Sequence, residues 1–167
     1  SMVSAIDVCR VIQKSELMIR ISNALKRQVL ELGSEGRIIN MRFRELTTRF
    51  EKIESDIIRD YSVYPLKKTK TLLENLTFDE LLSLESISEL ILEKSLEDEV
   101  EANGYRFLSR LELEHKDTSL LVNQFKNLSR ILNLEEKELE IILKDTSSKI
   151  KKEIDNLREQ ILSGKGV

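Results

Sequence analysis

Residues 32–36 read Leu-Gly-Ser-Glu-Gly and join two long amphipathic patterns within the segment Ser15–Tyr64. Glycine readily adopts the left-handed backbone that often ends a helix, so Gly33 is placed as the C-terminal cap of the first helix. A short joint between two long helices predicts an antiparallel pair, about 40 Å long at 1.5 Å per residue. This stretch therefore decides the fold of the N-terminal part of the chain.

Both helices of this hairpin have apolar residues at helical spacing. We expect the first helix at about Ala5–Glu31, and the second to begin at Ser34 or Gly36 and to end before Pro65. The predicted inward stripe of the first helix is Val11, Met18, Ile21, Leu25 and Leu32. The predicted seam of the second is Ile39, Phe43, Leu46, Phe50, Ile53, Ile57 and Tyr61. Its alternating spacings of four and three are typical of closely packed helix pairs.

Shorter helices follow the hairpin. Thr77–Glu80 and Ser86–Glu89 both have the capping-box pattern that opens a helix. The helices they open are expected to bury Leu81, Leu82, Leu90 and Ile91. Further helices are predicted at about 118–125, 128–132, 135–143 and 147–162, and the acidic run Glu97–Glu101 is interpreted as a solvated connection. No segment sustains a strand-like alternation, so we expect no sheet. The predicted fold class is all-α, a long antiparallel helical hairpin (the spine) followed by a small bundle of short helices.

The composition offers little for catalysis. Of 167 residues, 34% are charged and 5% are aromatic, which is typical of helical proteins. His115 is the only histidine and lies in a polar connection, and Cys9 is the only cysteine, so neither a zinc site nor a Cys–His pair is expected. Gly33 and Gly36 lie between helices, so they do not form a phosphate-binding loop after a strand. We therefore predict no catalytic residue, no metal site, no cofactor and no small-molecule substrate.

The location is predicted from what the sequence lacks. No apolar run approaches the roughly 20 residues of a membrane span, and no signal-peptide pattern opens the chain. A single cysteine cannot form an internal disulfide, which suits a reducing compartment. We expect a cytoplasmic protein with no membrane partner. Ser1 precedes Met2, which is compatible with a cloning remnant on a piece of a longer protein.

Charge is distributed unevenly along the chain. Residues 1–70 contain 14 Lys/Arg against 9 Asp/Glu, residues 71–103 contain 1 against 10, and residues 104–167 contain 12 against 11. With a formal net charge of -3, the chain lacks the clearly basic balance of a dedicated DNA-binding domain. The second helix nevertheless carries Arg37, Arg42, Arg44, Arg49 and Lys52. One interpretation is that these cations contact a nucleic-acid backbone along the helix. The alternative is an ordinary solvated face in which Glu45 and Glu51 pair with them.

Several short motifs occur in a fixed order along the hairpin. They are Asp7-Val8, Glu16–Ile21, Leu32–Gly36 with Ile38-Ile39, Glu45-Leu46 and Ile58–Tyr61. With these motifs, the segment Ile6–Tyr64 resembles the helical linker of the DisA-type diadenylate cyclases, the DNA-integrity scanning family. The resemblance resumes at Asn103–Arg110, similar to the segment before the family's C-terminal helix–hairpin–helix domain. It continues more weakly to Lys149–Lys151, and residues 66–102 match least.

The resemblance implies a function without catalysis. In that family an N-terminal domain condenses two ATP molecules into cyclic di-AMP, a helical linker forms a spine, and a C-terminal domain binds DNA. This sequence has neither the Asp-Gly-Ala nor the Arg-His-Arg motif of the cyclase domain. It is therefore expected to comprise a linker domain at 1–102 and a helix–hairpin–helix-like domain at 103–167, and not to be an enzyme.

The C-terminal region departs from the family pattern at its hairpins. Helix–hairpin–helix modules bind DNA phosphates through backbone N–H groups at glycine-bearing turns, because glycine permits close approach. Here Lys126-Asn127 replace the first such turn, and the second, Lys144–Lys149, contains Asp145 and no glycine. The candidate DNA-binding residues are Lys126, Asn127, Lys144, Thr146, Ser147, Ser148, Lys149 and Lys151. The alternative is an ordinary N-cap on a Lys-rich helix.

Two functions remain open at this point. The first is the regulatory, DNA-sensing portion of a DisA-like protein, acting as an oligomerisation spine and a weakened module for duplex or branched DNA. The alternative is a protein–protein interaction or assembly scaffold that does not bind DNA. In either case the seam Ile39–Tyr61 pairs between chains, as in a homo-oligomer, or lies entirely inside one chain.

Overall fold

A computed structural model describes residues 2–111 and 113–164, and most of these residues are helical. In chain order the elements are β1 Met2–Ser4, α1 Ala5–Val29, α2 Gly33–Tyr61, α3 Leu66–Glu74, α4 Phe78–Leu81, α5 Leu84–Ile91, β2 Glu99–Glu101, α6 Tyr105–Leu108, α7 His115–Phe125, α8 Leu128–Leu132, α9 Glu136–Leu143 and α10 Ser147–Leu162. Single 3-10 turns, Leu30–Leu32 and Lys144–Thr146, precede α2 and α10. The all-α class is confirmed. The chain forms two compact units, Met2–Val100 and the residues from Glu101 onward.

The first unit is built on the helical hairpin. Helix α1 has 25 residues and α2 has 29, so α2 is about 44 Å long. The joint between α1 and α2 requires glycine at two positions. Gly33 has a left-handed φ of 68°, and a Cβ on Gly36 would lie 2.1 Å from the carbonyl oxygen of Val29. Helix α1 ends at Val29, two residues earlier than expected, because a 3-10 turn takes over before Gly33.

The apolar core of this unit lies at one end of the hairpin, which we call the base. Here the N-terminal half of α1 and the C-terminal end of α2 pack with α3, α4 and α5. The buried members are Ala5, Val8, Cys9, Ile12, Ile57, Ile58, Leu73, Leu81, Ile87, Ile91, Leu92 and Val100. Fully burying a large aliphatic side chain contributes about 1.5–3 kcal/mol, so the base supplies most of the apolar stabilisation of this unit.

The other end of the hairpin, residues 18–53, we call the tip, and its helices face each other largely through polar side chains. Ser22, Asn40 and Thr47 are buried there, together with one large apolar side chain, Phe50. The Thr47 hydroxyl donates to the Phe43 carbonyl oxygen at 2.8 Å, which satisfies it within its own helix. Burial of polar groups contributes little net stability even when they are hydrogen-bonded. The tip therefore has less to hold its helices together than the base.

The predicted inward stripes are partly wrong. In α2, Phe50 and Ile57 are buried as expected, but Ile39 and Ile53 remain 38% and 37% exposed. The residues that follow these two, Asn40 and Glu54, take the buried positions. In α1, the predicted residues that remain well exposed are Val11, Ile21, Leu25 and Leu32. Helical periodicity identifies an apolar face but cannot show which neighbour covers it, and here α1 and α2 meet one position away.

A pair of buried carboxyl groups crosses the hairpin at the upper edge of the base. Glu54 is 3% exposed, and burial together with its hydrogen bond to the Glu16 side chain raises the pKa of Glu54 to about 9, against the opposing effect of Lys70. Within the described residues, Glu54 Oε2 has no hydrogen-bond partner. Arg20 donates to Glu16 Oε1 at 3.3 Å and to the Leu73 carbonyl oxygen at 2.8 Å. Burial therefore favours the protonated form of the Glu54 carboxyl.

The connections after the hairpin correct two further expectations. A small sheet exists, because β1 pairs with β2 and buries Val100 within the acidic run. Strands of three residues are too short to show alternation. The capping box at Thr77–Glu80 is confirmed by reciprocal bonds of 2.9 and 3.2 Å. The one proposed at Ser86–Glu89 is wrong, since α5 begins earlier and Ser83 caps it.

Of the side chains that these helices were expected to bury, Leu81 and Ile91 are buried and Leu82 is exposed. Leu90 is half-buried and packs against the core.

The second unit is a bundle of the short helices α6–α10. Its buried apolar residues are Phe107, Leu108, Leu111, Leu121, Leu128, Ile131, Leu134, Leu139, Leu143, Ile150 and Ile154. Gly104 precedes α6 with a φ of 101°, and a Cβ there would lie 2.6 Å from Cδ1 of Ile131. This glycine therefore permits the approach of α6 to α8. The predicted helices in this region are confirmed, with α7 beginning at His115, three residues earlier than expected.

Candidate functional site

The first candidate turn connects α7 to α8. Lys126 ends α7 in the left-handed conformation, with a φ of 59°, which is the geometry expected of a turn glycine. Asn127 then caps α8, because its side-chain oxygen accepts a hydrogen bond from the Arg130 backbone N–H at 2.7 Å. The turn thus keeps a glycine-like backbone while placing an exposed cation on it. A left-handed conformation costs a non-glycine residue about 1–2 kcal/mol.

The backbone N–H groups at the start of α8 are already engaged inside the unit. Leu128 donates to the Ala102 carbonyl oxygen at 2.7 Å, and Ser129 donates to the Glu101 carboxylate at 3.0 Å. The hydrogen bond from Ser129 lowers the pKa of the Glu101 carboxyl. A phosphate oxygen at this turn would have to replace these acceptors. Sequence reasoning missed Glu101, because a carboxylate within an acidic run gives no sign of where it folds.

The second candidate turn connects α9 to α10 and is built differently. Lys144 has a φ of 50°, and a 3-10 turn leads from it into α10. The Thr146 hydroxyl donates to the Leu143 carbonyl oxygen at 3.0 Å, and Thr146 makes no side-chain cap on α10. No side chain caps the first turn of this 16-residue helix, but the Ser147 backbone N–H donates to the Lys144 carbonyl oxygen.

The remaining candidate side chains around α10 differ in availability. Ser147 is buried, and the Ser148 hydroxyl donates to Glu136. Lys151 forms an ion pair with Asp155 at 2.7 Å, and Lys149 lies on the exposed first turn. Asp145, whose negative charge is unfavourable next to a phosphate, is also exposed. The structure thus places Lys126, Lys144 and Lys149 at the surface of this bundle and withdraws Ser147 into its core.

Within the described residues, the nucleophilic and metal-binding side chains do not form a second site. Burial raises the pKa of the Cys9 thiol to about 11, despite a hydrogen bond with Ser88 that lowers it. His115 is exposed at the start of α7. No group of three or more His, Cys, Asp or Glu side chains with metal-binding geometry occurs in residues 2–111 and 113–164. In those same residues, no helix combines the length and apolar character needed to cross a membrane.

A strip of apolar side chains runs along one side of the hairpin, and we call it the apolar strip. It consists of Val11, Met18, Leu25, Ile39, Leu46 and Ile53. In each helix these residues recur every seven positions, and four of them directly precede the buried residues Ile12, Asn40, Thr47 and Glu54. In an antiparallel pair, equal offsets from the seam point to the same side. The strip is half-buried to exposed throughout, so part of an apolar surface lacks a partner within this unit.

Comparison with known proteins identifies the relatives of this chain. The family model for the DisA bacterial checkpoint controller linker region matches residues 1–97. A protein from Acetivibrio thermocellus named "DNA integrity scanning protein DisA" is 33% identical over 142 residues, covering 80% of this chain and 39% of that protein. The protein of the same name from Carboxydothermus hydrogenoformans is 32% identical over 171 residues, covering 95% of this chain and 49% of the relative.

A third relative, also named DNA integrity scanning protein DisA, comes from Clostridium botulinum. It is 29% identical over 170 residues, with 96% of this chain and 48% of that protein covered. The chain thus spans less than half the length of these three curated relatives. The matches extend across both compact units, although the family model itself covers only the first.

Proposed function

The chain belongs to the DisA linker family, and on this premise we propose that it is the non-catalytic, DNA-sensing portion of a DisA-like protein. The spine is proposed at 1–102 and a degenerate helix–hairpin–helix domain at 103–167. The relatives are named DNA integrity scanning proteins, which supports contact with DNA by the corresponding region. The chain is proposed to lack enzymatic activity and a cofactor of its own, and to reside in the cytoplasm.

One observation carries the DNA-binding proposal: Lys126 and Lys144 both stand at helix ends with positive φ. Each turn has a residue with a positive φ and carries a cation, which attracts a phosphate through a charge-assisted contact. At the second turn no side chain caps α10, whereas at the first turn the amides that begin α8 donate to Ala102 and Glu101. Binding is therefore weakened compared with a hairpin pair in which both turns offer their amides.

Fluorescence anisotropy with labelled duplex and branched DNA tests this proposal. We expect micromolar affinity at low salt, falling with salt by about 0.9 log units per phosphate contact for each log unit of salt. Lys144→Gln should reduce that slope by about one, while Lys137→Gln, an exposed lysine on α9, serves as the matched control. Absence of binding to either DNA at low salt would refute the proposal.

Lys126→Gly separates the charge of the first turn from its backbone. Glycine accepts the same positive φ without strain, so the variant should be more stable by about 1 kcal/mol. If the lysine contacts phosphate, the same variant should bind DNA more weakly. Unchanged DNA affinity together with higher stability would assign Lys126 a turn role only.

The apolar strip favours a second function, assembly through the spine. Apolar residues at seven-residue intervals are typical of helices that pack against further helices, so we propose that two hairpins associate through their strips. Light scattering over a concentration series should give a dimer or larger oligomer. Ile39→Asn should shift the mass toward the monomer, whereas Ile38→Asn, at an exposed position outside the strip, should not. A strict monomer at high concentration would refute the assembly role.

A further inference from the structure

A second cluster of cations lies at the tip of the hairpin, far along the sequence from the candidate DNA-binding turns. Lys26 and Arg27 of α1 meet Arg44 of α2 around a cavity of about 450 Å³. The other lining residues are Asn23, Leu30 and Asn40. No carboxylate lines this cavity, although Glu31 and Glu45 lie close in sequence. Three like charges around one cavity repel each other unless an anion compensates them.

The polar side chains of the cavity lack partners within the described residues. Among residues 2–111 and 113–164, no carboxylate lies within ion-pair distance of Lys26, Arg27 or Arg44. Asn40 is 9% exposed, and its side-chain amide makes no hydrogen bond to that part of the chain. The Asn40 amide lines the cavity and has no partner among the described residues, so it is available to hydrogen-bond to a polar group that enters the cavity.

The available groups define the chemistry of that occupant. Arg27 and Arg44 offer planar forks of N–H donors, Lys26 a compact ammonium, and Asn40 an amide that can donate from a nearly buried position. Both helices contribute donors to the lining, and a negative charge there would relieve the repulsion among the cations. A tetrahedral oxyanion with several acceptor oxygens satisfies all of them at once.

We propose that this tip cavity binds a phosphate group. The phosphate would bridge α1 and α2 and so stabilise the tip, where the seam is polar. The same chemistry is offered by a free phosphorylated ligand and by the backbone of a nucleic acid. In the second case, the spine would add a contact to DNA that is separate from those at Lys126 and Lys144.

Titration of the full chain with pyrophosphate, followed by NMR of the Asn side-chain amides, tests the site directly. We expect saturable shifts at Asn40 and Asn23. Arg44→Gln and Lys26→Gln should each weaken binding about tenfold, which corresponds to loss of one hydrogen bond to a charged group. Arg42→Gln removes a cation from the same helix outside the cavity and should change the affinity less than twofold.

Competition with a short DNA duplex then distinguishes the two sources of phosphate. Displacement of pyrophosphate by the duplex, lost in Arg44→Gln but retained in Arg42→Gln, would assign the site to a nucleic-acid backbone. Saturable pyrophosphate binding without displacement would assign it to a free phosphorylated ligand. Equal weakening by Arg42→Gln and Arg44→Gln, or no shift at Asn40 with millimolar pyrophosphate, would overturn the proposal.

Discussion

The base and the tip of the hairpin are made of the same two helices, but they are stabilised by opposite means. At the base, Ile12 and Ile58 are almost wholly buried among the helices that follow the hairpin. At the tip, Asn40 and Thr47 occupy the seam while Ile39 and other apolar residues face outward. An amphipathic helix normally buries its apolar face. The base follows this rule within one chain, whereas the tip leaves its apolar strip for a partner.

The largest effect is expected at the base. Ile58→Ala removes a side chain that is 1% exposed and leaves a cavity, so the free energy of unfolding should fall by about 2–5 kcal/mol. Denaturant titration measures this loss, with Ile38→Ala at the exposed side of the tip as the control. A loss below about 1 kcal/mol would mean that the base is not the stabilising centre.

Glu16 and Glu54 lie where base and tip meet, and the contribution of Glu54 to stability depends on pH. Glu54 holds its proton up to a pKa of about 9, whereas its ordinary value is 4.5, so its stabilising contribution is complete below pH 4.5 and declines as the pH rises toward 9. Glu54→Gln cannot lose a proton. Its advantage in unfolding free energy over the wild type should therefore grow as the pH rises through that interval.

Thermal or denaturant unfolding across that pH range measures the effect of Glu54→Gln. Glu51→Gln, an exposed residue on the same helix, is the control and should show no such growth. A difference between Glu54→Gln and wild type that does not vary with pH would contradict the raised pKa of Glu54.

A smaller loss of stability is expected from a substitution in the joint between α1 and α2. Gly36→Ala would place a Cβ against the Val29 carbonyl oxygen, and backbone atoms must shift to relieve the clash. Overpacking of this kind costs about 1–3 kcal/mol. Ser34→Ala, at an exposed position in the same joint, is the matched control, and equal stability of the two variants would show that the close approach is not required.

The smallest effect on stability is expected on the apolar strip itself. Ile39→Ser should lower the unfolding free energy of the monomer by about 1 kcal/mol, because Ile39 is already partly exposed. Light scattering should nevertheless show weaker self-association. A large loss of monomer stability would place Ile39 in the core and remove the contrast between the two regions.

The sequence predicts the elements of the fold better than their packing. The joint at Gly33 and Gly36 gives the hairpin, and the last four helices follow from local capping and periodicity. The buried faces of α1 and α2 cannot be predicted in this way, because the two helices pack along positions one residue away from their most apolar stripes. That choice depends on residues distant in sequence, such as Leu73 and Ile87, which complete the core at the base.

The candidate site likewise contains residues that the sequence predicts and residues that it does not. The turns at Lys126-Asn127 and Lys144–Lys149 are identifiable from the sequence, because the resemblance to the family places its hairpin turns there. The carboxylate that accepts the hydrogen bond from the Ser129 backbone N–H is not identifiable from the sequence, because Glu101 lies 28 positions earlier. The cluster of Lys26 and Arg44 at the tip likewise depends on how the two helices align, which spacing alone leaves undetermined.

The polar seam of the tip also has a consequence for how the hairpin opens. Amide hydrogens in α1 and α2 should exchange with solvent by local unfolding that begins near Gly33 and stops where Ile12 meets Ile58. Protection factors would then increase steadily from the joint toward the base within each helix. A ligand or a second chain bound at the tip would flatten this gradient, and the hairpin would exchange as one cooperative unit.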